Sequence, residues 1–191
     1  MHNEYKEALD MSDHLRGLFI IKKDGKIIAK GHNLVVNDGR QFIYDKFISA
    51  LLNSTDSAYT KRNHVFYRFY AGEIQNESFM TLPETTFADV NNHIIKNNSN
   101  EPDSKFFVDL TQSESTNGSI KYEPTTRMIE IKLNDLQGDS VPHCLSEFFV
   151  TTYNPDSTAS DKEETLFSRF LIDPIYLVSG SSYSLSYYIS I

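Results

Sequence analysis

Between Gly31 and Leu52 the chain changes rhythm. A short apolar run, LVV, gives way to NDGRQFIYDKFISALL, in which Phe42, Ile43, Phe47, Ile48, Leu51 and Leu52 recur at helical spacing while Tyr44, Asp45, Lys46 and Ser49 take the other positions. Asp38, followed three places later by Gln41, reads as a capping box, so the pattern predicts one amphipathic helix over 38–52. The helix is expected to pack on, or plug the end of, an antiparallel β domain.

Nearly everything else has a period of two. LFIIKKDGKIIAKG is two β-rich runs joined through Asp24-Gly25, a hairpin signal because a type I′ turn needs positive φ at both central residues. Asn33 to Val36 continues as a strand into the helix. His64 to Tyr70 is a strand with large rings on both faces, which predicts burial on both sides or an intersubunit face. Lys105 to Thr111, Leu145 to Tyr153 and Leu166 to Ile172 read as strands, the last stopped by Asp173-Pro174. Ser119–Glu123 and Arg127–Leu133 form a hairpin around Pro124, with Ile129, Ile131 and Leu133 inward. From Tyr183 to Ile191, Tyr183, Leu185, Tyr187, Ile189 and Ile191 alternate against Ser184, Ser186, Tyr188 and Ser190. Eight or nine strands of this kind cannot bury themselves as one open sheet, so the expected fold is a mainly β, antiparallel β-sandwich or jelly roll with one helix; a barrel is the alternative.

The domain plan that follows is a flexible N-terminal arm, 1–15, and a single sandwich domain, 16–191. A long excursion at 71–103, rich in Asn, Glu, Ser and Thr, interrupts it, with one short strand near Asn92 to Lys96. Asn134 to Pro142 and Asn154 to Glu164 are loops. The first residues carry Glu4, Glu7, Asp10 and Asp13 and no apolar core of signal-peptide length, which predicts a product that stays in a reducing cytosol and outside membranes.

A net charge of −8 disfavours nucleic acid, whose phosphates require clustered Lys and Arg. Six histidines, His2, His14, His32, His64, His93 and His143, invite a metal site, yet none pairs at the spacing that lets one helix or strand present two ligands. Only convergence in the fold, as in a cupin-like enzyme, would make one. Cys144 beside His143 does not make a nucleophile and base, because neighbours on an extended segment point to opposite faces; a small buried Cys is expected. Glu73, Glu77, Glu84 and Asp89 are the carboxylates to inspect for glycoside hydrolysis, although nothing local raises a pKa. Asn134-Asp135 with Gly138-Asp139 has the composition but not the spacing of a calcium loop. The Asn-x-Ser/Thr triplets at Asn53, Asn76, Asn97 and Asn117 follow from the abundance of Asn and Ser. No nucleotide loop or serine-hydrolase elbow is present. The expectation is a protein without catalytic residues, cofactor or metal, whose aromatic surplus builds a core or a binding face.

Two segments together resemble proteins of the tailed-bacteriophage virion. HNLVVNDGRQFIYDKFISALL is similar to a recurring segment of that group, an asparagine-started strand, a turn with Gly and Arg, then an amphipathic helix. LFSRFLIDPIYLVSGSSYSLSYYISI resembles their closing strands, an aromatic-Arg run, a Pro-containing bend and an alternating last strand; YAGEIQNESFMTLPET looks like the stretch between. About a third of the chain is covered. The resemblance implies a small sandwich or jelly-roll subunit of a phage particle, of a crAss-like short-tailed kind in its residue usage. It implies assembly in many copies in the host cytoplasm, with other virion proteins and its own copies as partners. A capsid decoration protein is the leading expectation, a tail, collar or baseplate component the alternative, and residues 1–15 and 71–103 the candidate interfaces. A carbohydrate- or receptor-binding sandwich, with Tyr59 or Tyr153 stacking on sugar, is the competing reading.

Overall fold

The computed structural model describes residues 17–53, 56, 58–74, 83–111, 114–115, 118–123, 128–137, 143–157 and 163–190. The N-terminal arm therefore lies outside the described residues. The Asp24-Gly25 turn forms as its chemistry demands, with φ of 48° and 78°, and joins β1 (Gly17–Lys23) to β2 (Lys26–His32). β3 (Leu34–Val35) is shorter than expected, and α1 (Asn37–Leu52) begins within one residue of the predicted start. There follow β4 (Val65–Gly72), a single helical turn α2 (Phe87–Val90), β5 (Phe107–Asp109), β6 (Glu114–Ser115), β7 (Gly118–Glu123), β8 (Met128–Gln137), β9 (Cys144–Tyr153), β10 (Glu164–Tyr176) and β11 (Ser182–Ser190).

The strands form two antiparallel sheets, ordered β2-β1-β11-β8-β7-β6 and β3-β10-β9-β4-β5. The protein is a β-sandwich. Its core is one cluster drawn from both inner faces: Phe19, Ile21, Ile131, Leu133, Leu185 and Tyr187 from the first sheet meet Phe69, Phe148, Val150, Phe167 and Phe170 from the second. The alternation of the closing strand is realised through Ile189, with Tyr183, Leu185, Tyr187 and Ile189 all buried, while Ile191 lies outside the described residues. Asn33, at the point where the chain leaves the first sheet for the second, is bonded to two strands of the first, β1 and β11. Its Oδ1 accepts from the Gly17 N–H at 2.6 Å and its Nδ2 donates to the Tyr187 hydroxyl at 2.5 Å.

The second sheet is buried on its outer face as well. Tyr70, Phe149, Leu166 and Val36 form a separate cluster with Val90, flanked by Phe87, Ile94 and Phe107. Residues 83–106 thus cover the sheet as a strap, which explains why β4 carries large rings on both sides. This corrects the expectation for the excursion. Its described part packs on the sheet as a layer of the fold, and instead of a strand near Asn92 to Lys96 it holds a 3₁₀ turn (Asn91–His93) and isolated bridges, Gly72 to Ile94 and Lys96 to Pro102.

Three other expectations change. β8 runs on through Asn134 and Asp135 to Gln137, so these residues belong to a strand rather than a turn; Gly138 and Asp139 lie outside the described residues. Pro174 does not stop β10. The strand passes it with a register shift between Leu171 and Ile175, where the ladder needs no N–H from the proline. Finally, Asp38 and Gln41 make no capping box: the helix starts after Val36 without a side-chain cap, Asp38 turns to Lys61, and Gln41 donates to Asp45 at 2.5 Å. A carboxylate that does accept at a helix start is Asp89, which bonds the N–H and hydroxyl of Thr86 at 2.7 and 2.8 Å and is held below the usual carboxylate range by them.

Candidate functional site

The helix is turned differently from its sequence pattern. Gly39, Phe42 and Asp45 are its buried residues. Gly39 sits so close to β10 that a Cβ would lie 2.0 Å from the Phe167 carbonyl oxygen. Phe42 enters a ring cluster with Phe66 and Phe167 at centroid distances of 5.3 and 5.9 Å. Asp45, expected on the polar side, is fully buried because its carboxylate receives both the Gln41 amide and, at 2.8 Å, the Lys61 backbone N–H, so it stitches the 56–64 loop onto the helix.

The consequence is an outward apolar face. Tyr44, Phe47, Leu51 and Leu52 are 56, 63, 67 and 61% exposed, with Ile48 half-buried between them. Positions 44, 47, 48 and 51 follow the i, i+3, i+4, i+7 spacing by which a helix meets another helix. Other large apolar residues are exposed on other elements, Ile27 and Ile28 on β2, Tyr122 on β7, and Tyr176 and Val178 after the β10 bend.

Beside the helix start lies an open polar cleft of about 410 Å³, lined by Asp38, Lys61, His64, Asn154, Glu163 and Thr165 among others. Lys61 Nζ bonds Asp38 at 2.7 Å. Burial first, and then the charges of Lys61 and Lys46, push the His64 imidazole below 6.5, against weaker opposition from Glu163 and Asp38. Its Nδ1 is buried without a hydrogen-bond partner among the described residues. A second cleft, about 470 Å³ and apolar, opens between the sheets at Val65, Phe66, Leu110, Ile120, Ile129 and Tyr153.

Deeper charge chemistry sits under the strap. Glu147, fully buried in the middle of β9, takes His93 Nδ1 at 2.7 Å on one oxygen and Arg169 Nε at 2.6 Å on the other, and both partners are themselves buried. Farther along the same outer face, Glu164 accepts from Tyr70 at 3.0 Å and Thr151 at 2.8 Å and lies 3.5 Å from Arg68. Burial raises the Glu164 carboxyl and the Tyr70 phenol. Arg68 lies between the Tyr67 and Phe107 rings at 4.4 and 4.7 Å. Neither cluster opens onto one of the two clefts; both tie β4, β9 and β10 to each other or to the strap.

The histidines are dispersed: His32 is exposed at the end of β2, His64 lines the polar cleft, His93 is buried on the inner side of the strap, and His143 lies 3.4 Å from Glu73 and edge-on to Phe106. His2 and His14 lie outside the described residues. Among the described residues no group of three or more His, Cys, Asp or Glu is placed to hold a metal ion. Cys144 is half-exposed rather than buried, and its backbone N–H donates to Glu73. Of the acids singled out, Glu73 is thus engaged with His143 and Cys144, Asp89 caps α2, Glu84 is exposed, and Glu77 lies outside the described residues. Tyr153 is buried against Tyr67 at 4.5 Å at the wall of the apolar cleft; Tyr59 is half-buried in the loop beside the polar cleft. Asn53 caps α1 in the left-handed region, Asn97 closes a turn through Ser99 and Glu101, and Asn76 and Asn117 lie outside the described residues. No described helix is long and apolar enough to cross a membrane.

Neither family models, curated proteins nor solved structures match this chain significantly. Function must therefore be argued from the surfaces themselves.

Proposed function

We propose that the chain is a non-enzymatic structural subunit of a tailed-bacteriophage particle, assembled in the host cytoplasm and working by docking onto other virion proteins and its own copies, with capsid decoration as the specific role. The observation that carries the docking part is the outward apolar stripe of α1. Apolar side chains that a fold could have turned inward, but instead shows to water on one helix face, mark an interaction surface. The virion part rests on the resemblance of two segments, in which the shared residues have definable work here: Asn33 fixes the crossover to β1 and β11 of the first sheet, and Gly39 lets the helix approach β10. The titratable groups also fit a structural role, since Glu147, Arg169, His93 and Glu164 are spent holding layers together.

The test is proteomic and structural. Particles of the phage that encodes this sequence are purified and the protein is sought by mass spectrometry, then located by antibody labelling or density. Many copies on the head support decoration, a few at the neck or tail move it to the collar, tail or baseplate reading, and absence from particles overturns the proposal. The polar cleft at His64 favours one second reading, glycan binding; retention on a glycan array that His64→Ala abolishes would support it.

A further inference from the structure

We infer that the outward face of α1 pairs with the same face of a second copy, two antiparallel helices related by a two-fold axis beside Phe47 and Ile48. The inference rests on the docking reading above and names the partner. Three observations favour a copy of this chain over an unrelated protein. The first is area. The exposed surface of Tyr44, Phe47, Leu51 and Leu52 is on the order of 500 Å², and two such faces reach about the 1,000 Å² that a specific interface needs.

The second is pattern. The stripe occupies the i, i+3, i+4, i+7 positions of a helix-pairing seam with no charge inside it, and the 16-residue helix is long enough to keep the seam straight. A two-fold interface must be self-complementary, and here it is: with the axis between Phe47 and Ile48, Tyr44 of one copy lies over Leu51 of the other. The third is charge. Arg40 is exposed on the same face at the helix start, and the last turn of α1 holds no basic residue although its carbonyls carry the negative end of the helix dipole. Arg40 Nε bonds its own Val35 carbonyl at 3.3 Å, and the Asn53 N–H already serves the Ser49 and Ala50 carbonyls, so what antiparallel pairing adds is the Arg40 charge beside the negative end of the partner's helix dipole, a complement that parallel pairing would not make.

The full chain is measured by sedimentation velocity over a concentration series, alone and as Phe47→Glu, Arg40→Glu, and Ile48→Cys in a Cys144→Ser background. The expected result is a reversible dimer of twice the monomer mass, weakened about 100-fold or more by Phe47→Glu and less by Arg40→Glu. At concentrations where the wild type is monomeric both variants keep its melting temperature, because neither side chain is buried in the monomer. Ile48→Cys couples across the axis with a short bis-maleimide. A wild-type monomer up to about 100 µM, a dimer that Phe47→Glu leaves intact, or a dimer in which Ile48→Cys does not couple overturns the inference. So does a monomer that dimerises only when residues 1–16 are removed, since that face would then be covered by the chain's own arm. A protein found in particles but monomeric by these measures defeats this inference and leaves the virion reading standing; a helix-paired dimer absent from particles does the reverse.

Discussion

Glu147 shows how far a single residue can be from its usual setting. A carboxylate in the interior of a strand, with no contact to water, is tolerable only because each oxygen has a cationic or hydrogen-bonding partner within 2.7 Å. Removing it strands Arg169 and His93 in the same dry layer. Glu147→Ala is expected to cost about 3–5 kcal/mol in chemical denaturation, whereas Glu147→Ala combined with Arg169→Met is expected to recover part of that loss. His64 sets a pH dependence of a different sign from that of a salt-bridged histidine. Its folded pKa lies below 6.5, so the unfolded chain takes up the proton first. The His64 contribution to stability is therefore complete above pH 6.5 and is lost as the pH falls through the lower folded value. His64→Asn should flatten that part of a plot of melting temperature against pH, and an unchanged slope would refute it.

At the scale of elements, α1 is positioned by what one glycine permits. Any side chain at position 39 would meet the Phe167 carbonyl, so Gly39→Ala should push the helix off β10 and destabilise the fold by about 2–3 kcal/mol without changing the exposed stripe; calorimetry reads it directly. The helix also marks where sequence reasoning succeeds and fails. Its extent was legible because sixteen residues of 3.6 periodicity are unlike anything around them. Its orientation was not, because six apolar positions spread over two faces and hydrophobicity does not say which face meets a sheet and which meets a partner. The turn at Asp24-Gly25 and the alternation of β11 were legible for local reasons, φ in one case and a period of two in the other. The strap was opaque, since Val90 and Ile95 sit among polar residues without a period, Val90 being buried by the sheet's outer face and Ile95 by the main core. Yet its anchor left a trace. Glu147 interrupts CLSEFFV and Arg169 interrupts LFSRFLI, one acid and one base each alone in an apolar strand, which is the signature of a buried pair. The polar cleft had no such trace, because its residues come from three separate segments.

For the whole molecule, the two sheets are unequal. In the second, β9 lies between β10 and β4 and all but its first residue is buried, while in the first, β2 is an edge strand with Ile27 and Ile28 exposed between Lys26 and Lys30. Hydrogen exchange should report this as a gradient, slowest in β9, fastest in β2 among the longer strands; comparable rates in the two would contradict the layering. The first sheet has a further property. β1 lies between β2 and β11, and the Asp24 turn is bonded to Ser182 through both its backbone and its carboxylate, so the beginning of the chain and its last strand share one seam. During synthesis β1 and β2 emerge first and can form only a hairpin, their apolar side waiting for a strand that leaves the ribosome about 160 residues later. The six-stranded sheet cannot close until β11 has been made, and a chain without β11 has nothing to join β1 to β8, which makes β11 a condition for burying Phe19 and Ile21.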